Sequence, residues 1–216
     1  MENFYNKKEV KKYCSKTENP NYDVHHIDTP FRSLVVAPSG SGKSNFITNL
    51  ITLFCKGKGT YDNIYIFCKC KDEPLYRYLA DKSKGLIEVF ENLEKLPALN
   101  DLNACKQTLI IFDDMVTDIK KHPIISEYFI RGRKKGASIM FLSQSYYNTP
   151  KIIRQNVSYV VILKLGGTRD ENDAQPDAYA AATSTAKPMM HNLPAFHTAG
   201  VTATCSTLAR LSTRTT

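Results

Sequence analysis

Lys43 and Ser44 end a run of small residues, Ala37-Pro38-Ser39-Gly40-Ser41-Gly42, and lead into Asn45-Phe46-Ile47. Glycines let a backbone curl so that successive N–H groups point at one oxyanion. A helix that begins there adds partial positive charge. A lysine at the end of the loop reaches the β- and γ-phosphates of a nucleotide, and the hydroxyl beside it reaches Mg²⁺. The spacing is that of a phosphate-binding P-loop, with Ala37 where the first glycine usually stands. Pro38, Ser39, Gly40, Ser41, Gly42, Lys43, Ser44 and Asn45 are the candidate phosphate-binding residues.

A second group of chemical residues lies downstream. Thr108-Leu-Ile-Ile-Phe112 runs straight into Asp113-Asp114. A buried strand that ends in two carboxylates makes sense where its end opens into a polar site. Beside a P-loop, Asp113 would hold Mg²⁺ through its water shell and Asp114 would polarise an attacking water. A third apolar run, Ala137 to Leu142, is followed by Ser143 and Gln144. In P-loop ATPases with an additional catalytic strand, that strand lies between the P-loop strand and the Asp-tipped strand. Gln144 would then sense the γ-phosphate. Arg131, Arg133, Lys134 and Lys135 form the densest cationic cluster. It suits a neighbouring subunit's γ-phosphate, DNA phosphates, or simply a solvated helix end. Arg154 is a further candidate for the same roles, and Lys7, Lys8, Lys11, Lys12 and Lys16 suit a nucleic-acid backbone or a solubilising arm.

These residues need elements to position them. Phe31 to Ala37 reads as the first core strand. Phe46, Ile47, Leu50, Ile51 and Phe54 recur at helical spacing over Ser44–Cys55. Further strands are expected at Asn63–Cys68, Leu86–Phe90, Thr108–Phe112, Ala137–Leu142 and Val157–Leu165. Helices are expected at Pro74–Asp81, with Leu75, Tyr78 and Leu79 on one side, at Pro123–Arg131 and at Thr149–Gln155. Leu93 to Cys105 reads as loop with a helical turn or two. Apolar strands alternating with amphipathic helices predict an α/β fold: a P-loop NTPase with an additional catalytic strand, its mainly parallel sheet sandwiched by helices.

The chain has 216 residues and a formal charge of +8, which favours an anionic partner. No apolar run approaches the ~20 residues that would span a bilayer, so no membrane partner is expected. The six cysteines form no CxxC pair, and a reduced, intracellular chain without a metal cluster is expected. Nor do His25 and His26 have partners at metal-ligand spacing. Composition changes abruptly after Leu165: the last 51 residues hold ten Ala and ten Thr and no Ile. Three parts are expected: a basic arm over 1–28, the ATPase domain over 29–165, and an Ala/Thr-rich tail over 166–216. The tail is either a loosely ordered low-complexity appendix or a segment read out of frame.

Taken together, four blocks resemble the genome-packaging ATPases of large DNA viruses, virophages and related self-synthesising transposons, the poxvirus-type branch of the FtsK/HerA superfamily. They are PFRSLVVAPSGSGKS, DEPLYRYL (Asp72 to Leu79), LIIFDDM, and the stretch from Arg131 to Leu165. The resemblance covers Thr29 to Thr168. It implies an Mg²⁺-dependent ATPase that assembles into a homo-oligomeric ring and drives double-stranded DNA into a preformed capsid. ATP and Mg²⁺ would be the cofactors, and a capsid or portal-like vertex component a partner. The host cytoplasm or a viral factory would be the location, with virion association a further one. On it, Lys43 and Ser44 match the Walker A pair, Asp113 and Asp114 the Walker B pair, Gln144 the polar sensor, and Arg131 or Arg133 the arginine that acts in trans. Two other classes stay open: another P-loop enzyme, such as a nucleotide kinase or an ABC-type ATPase, and a catalytically incomplete nucleotide-binding structural or adaptor protein.

Overall fold

The computed structural model of the chain describes residues 4, 7–11, 18–103, 105–115, 122–163 and 208–210. Most of the Ala/Thr-rich tail, Thr168-Arg169-Asp170, Lys12 and Lys16 lie outside the described residues.

Runs of β-branched, leucine and aromatic residues form β1 (Arg32–Val36), β2 (Asn63–Phe67), β3 (Ile87–Phe90), β4 (Thr108–Asp113), β5 (Ala137–Ser143) and β6 (Tyr159–Ile162). They pair in the order β3-β2-β4-β5-β1-β6, all parallel. A short strand from the tail, β7 (Leu208–Arg210), pairs antiparallel with β6. The expected extra strand is β5, which sits between β1 and β4, as the position of Gln144 requires.

Helices are α1 (Lys8–Lys11), α2 (Tyr22–His25), α3 (Lys43–Phe54), α4 (Pro74–Lys82), α5 (His122–Arg131) and α6 (Lys151–Asn156). Every residue of β4 and β5 is buried. That is the pattern of central strands covered on both faces. Successive strand residues point to opposite faces, so the core divides in two. Val35, Ile66, Ile111 and Leu142 pack with Ile47, Ile51 and Phe54 of α3 and Tyr76 and Leu79 of α4. Val36, Ile110, Phe112 and Phe141 pack with Ile125 and Phe129 of α5 and Ile153 of α6. Each such large apolar side chain contributes about 1.5–3 kcal/mol by leaving water.

Two expectations change. The buried face of α4 is Tyr76 with Leu79, and Tyr78 is 55% exposed. One residue of helical phase separates the two assignments, and the polar partner of Tyr76 decides it. The end of the expected arm also packs on the domain: Asn21, His25 and Ile27 are buried. The last carbonyls of a helix have no partner inside it. The Asn21 side-chain amide donates to two carbonyls at the end of α3, Phe54 O at 2.8 Å and Lys56 O at 2.9 Å. The His25 ring meets Phe54 edge-on, with centroids 4.8 Å apart.

Candidate functional site

Parallel strands all end at the same edge of a sheet, and ligands bind α/β sheets at that carboxyl edge. Here it gathers the P-loop after β1, Asp113-Asp114 at the end of β4, and Gln144 after β5. Residues 37–42 form the loop between β1 and α3. Gly40 and Gly42 have φ of +75° and +83°, which side chains disfavour. A Cβ built on either would meet nothing within 4 Å. The loop therefore keeps open space beside its backbone, as a phosphate cradle needs. The Ser41 hydroxyl donates to Pro38 O at 2.6 Å and holds the curl from within. Lys43 and Ser44 form the first turn of α3, so their side chains and the helix N-terminus share one mouth.

Lys43 Nζ lies 3.5 Å from Asp113 Oδ1, and both side chains are only 12% exposed. The other carboxylate oxygen, Oδ2, accepts a 2.6 Å hydrogen bond from the Tyr76 hydroxyl. Asp113 Oδ1 is buried and has no hydrogen-bond donor among the described residues. Burial, and after it the Asp113 carboxylate, push the Tyr76 phenol far above its ordinary range, so it keeps its proton. The same two causes push the Cys68 thiol up to about 11, which keeps it a thiol.

Asp114 is arranged differently. Its φ of +55° is left-handed, a conformation that Asp tolerates better than most residues. Its amide donates to Leu142 O at 3.2 Å, so the turn is tied to β5. Its Oδ2 accepts from Gln144 Nε2 at 2.8 Å and lies 3.5 Å from Lys69 Nζ. Gln144 thus stands at the tip of the strand between the P-loop strand and the Asp-tipped strand, and its direct partner is Asp114. A non-glycine held at positive φ beside a cleft is a frequent mark of a working site.

The residues present fit Mg²⁺ and a nucleotide phosphate. The open glycine cradle supplies N–H donors, Lys43 supplies a cation, and Ser44 and Asp113 supply hard oxygen donors. Oδ1 of Asp113, buried without a hydrogen bond and with only the Lys43 ammonium at 3.5 Å, is the feature that most needs a further partner.

Arg131 and Arg133 stand elsewhere. The turn Gly132–Lys135 leads into the start of β5, so the cluster lies at the edge opposite the P-loop. At ~3.3 Å per residue, the seven residues of β5 separate it from Gln144 by roughly 20 Å. Neither arginine can reach its own chain's site. Arg131 Nη1 also donates to Glu127 Oε1 one helical turn back, at 2.5 Å. Arg154 is engaged locally: its Nε donates to Thr149 O at 3.1 Å, and its guanidinium lies over the Tyr146 ring. Tyr76 and Lys69 are the site residues that sequence reasoning missed. Both follow β2, and Tyr76 lies inside the Asp72–Leu79 block.

No helix among the described residues is long and apolar enough to cross a membrane. Among solved structures, the fold is similar to B204, the genome packaging NTPase of Sulfolobus turreted icosahedral virus 2 bound to ATPγS. The TM-score is 0.52 at 16% identity, covering 73% of this chain and 86% of that one. B204 of Sulfolobus turreted icosahedral virus, a DNA-packaging ATPase, gives a TM-score of 0.54 at 15% identity, covering 73% and 87%. At such identities the likeness is one of fold. By sequence, the chain is 25% identical over 158 residues to the DNA packaging protein OPG160 of vaccinia virus (strain Copenhagen). The variola virus protein of the same name is 24% identical over 158 residues. The match takes in 68% of this chain but only 57% of each of those relatives. The profile of the Poxvirus A32 protein family matches residues 21–176, well over half of the 216. The chain belongs to the Poxvirus A32 protein family.

Proposed function

We propose that this chain carries the ATPase core of a double-stranded DNA translocase that packages a viral genome into a preformed capsid. The observation that carries the reading is the meeting of three adjacent strand ends: Lys43 on Asp113, and Gln144 on Asp114. Family membership and the names of the vaccinia and variola relatives support DNA packaging as the task.

The residues divide the work as follows. Pro38 to Asn45 wrap the phosphates of ATP, and Lys43 moves from Asp113 to the β- and γ-phosphate oxygens. Ser44 and Asp113 hold Mg²⁺, which when bound offsets the charge of the transferring phosphoryl group. Asp114 takes up the proton of the attacking water, and Gln144 keeps that carboxylate aimed. Arg131 or Arg133 of a neighbouring copy supplies the last cation, so the active form is a homo-oligomeric ring. Basic loops grip the DNA backbone, and a capsid or portal-like vertex component anchors the ring. The work takes place in the host cytoplasm or a viral factory, or on the virion.

The test is ATP hydrolysis with and without double-stranded DNA, in the wild type and Lys43→Ala. DNA should stimulate the wild type. Lys43→Ala should lose at least ~100-fold in turnover, as expected for removal of a preorganised cation. Transfer of phosphate to a nucleoside monophosphate would mark a kinase instead. Tight ATP binding by a wild type that never turns over would mark an incomplete structural or adaptor protein.

A further inference from the structure

Tyr76 is a polar side chain in an apolar place. It is 1% exposed and lies in the core layer with Ile66, Cys68, Leu79 and Ile111. A phenylalanine would fill the same volume, so the hydroxyl needs its own explanation. Burying a hydroxyl costs free energy unless it finds a partner. Its partner is Asp113 Oδ2, at 2.6 Å.

That bond makes the two carboxylate oxygens unequal. Oδ2 is held from below by a donor on α4. Oδ1 has no hydrogen-bond donor among the described residues and lies 3.5 Å from Lys43 Nζ. A carboxylate free at both oxygens rotates about its last bond; one tied through Oδ2 leaves Oδ1 alone turned toward Lys43 at the start of α3. Partners behind a metal-binding group orient it and tune its affinity.

We propose that Tyr76 is a positioning residue for Mg²⁺: its hydroxyl fixes the Asp113 carboxylate so that Oδ1 faces the metal position beside Ser44 and Lys43. The inference rests on the reading of Asp113 as the group that holds Mg²⁺. It gives the Asp72–Leu79 block a task. The connection from β2 into α4 carries Lys69, which meets Asp114, and Tyr76, which meets Asp113. One segment thus braces both carboxylates from the side opposite the P-loop.

Tyr76→Phe in the full chain tests this, because it removes one oxygen and keeps the ring. The probes are ATPγS binding by calorimetry in EDTA and Mn²⁺ binding to the ATPγS complex by electron paramagnetic resonance. Asp113→Asn is the reference for loss of the metal-binding group. Tyr76→Phe should bind ATPγS in EDTA within about twofold of wild type, and should bind Mn²⁺ about 10- to 100-fold more weakly, the usual cost of losing such a partner. Unchanged Mn²⁺ affinity would overturn the proposal. So would an equal loss of affinity with and without metal, which is what a merely structural hydroxyl predicts. If Asp113→Asn leaves Mn²⁺ affinity at the wild-type value, the assignment of Asp113 itself has failed, and the role of Tyr76 with it.

Discussion

The two edges of the sheet treat charge in opposite ways. At the carboxyl edge, unlike charges meet: Lys43 with Asp113, Lys69 with Asp114. At the other edge, cations gather in excess, although Arg131 pairs with Glu127 and Lys58 with Glu18. Arg32 opens β1 there, and burial and then the nearby Arg133 make its guanidinium less basic than usual. Arg131, Lys134 and Lys135 stand in the same turn region. Left-handed backbone does not separate the edges; side chains do. Positive φ occurs at both, at Gly40, Gly42 and Asp114 on the carboxyl edge and at His26, Gly85 and Gly136 on the other. The other edge is closed by rings, with Phe31 near both Phe54 and Tyr159 and with Phe54 edge-on to Tyr61. Below them the Tyr61 hydroxyl meets the Ser138 hydroxyl at 3.0 Å. One edge gathers the loops and carboxylates of the candidate site, and the other is a packed platform that carries an excess of cations. In the proposed ring, the carboxyl edge of one chain would meet the cation-rich edge of the next. Contacts between unlike surfaces of identical chains close into rings when the rotation allows.

The most damaging test of this pairing is Arg133→Ala. If Arg133 serves a neighbour's site, turnover of the assembled protein should fall by about 10³-fold or more, the range for an arginine that stabilises a transferring phosphoryl group. Nucleotide affinity of the isolated chain should stay the same, because the cluster lies roughly 20 Å from its own Gln144. Mixing Arg133→Ala with Lys43→Ala chains should restore part of the rate, since some interfaces then pair an intact loop with an intact arginine. No recovery on mixing would break the comparison.

At the carboxyl edge the matching substitution is Asp114→Asn. Asparagine also accepts positive φ and keeps an oxygen for Gln144. The fold should be undisturbed, and the urea midpoint unmoved. Turnover should fall by at least ~100-fold, the lower range for loss of a general base. A shifted midpoint with near-normal turnover would make Asp114 a structural residue and remove the contrast between the edges.

The chain's own letters disclosed a good deal of this. The P-loop was legible because its glycines, lysine and serine are contiguous. Asp113-Asp114 and Gln144 were legible because each ends an apolar run, and the alternation of runs placed those ends at one edge. Tyr76 and Lys69 were not. Their partners lie 37 and 45 residues away, and no local period reports a contact across strands. For α4 the helical phase alone could not choose between Tyr76 and Tyr78, since both are amphipathic. Asn21 misled in another way. A polar residue in a polar stretch reads as solvated, yet its amide is buried against helix-end carbonyls that periodicity cannot display.

The smallest effect expected concerns His25, at the platform edge. Its ring is 2% exposed and packs on Phe54. Nδ1 accepts the Ile27 amide at 3.0 Å, which requires that nitrogen to be unprotonated. Burial, and then neighbouring His26, lower its pKa to about 4 from 6.5. Between those values the unfolded chain takes up a proton that the folded chain refuses. Stability from this source is therefore complete above pH 6.5 and is lost as pH falls toward 4. The ring lies close to the surface, so part of the penalty is screened, and about 1–2 kcal/mol is the expected loss. His25→Gln keeps an acceptor for the Ile27 amide and removes the titration. Urea denaturation of both proteins across this range should give curves that converge at low pH and separate above it. The carboxylates at the other edge are shared by both proteins and cancel in the difference. Parallel curves would mean that His25 takes up its proton without opening the platform, and that this edge is less rigid than its packing implies.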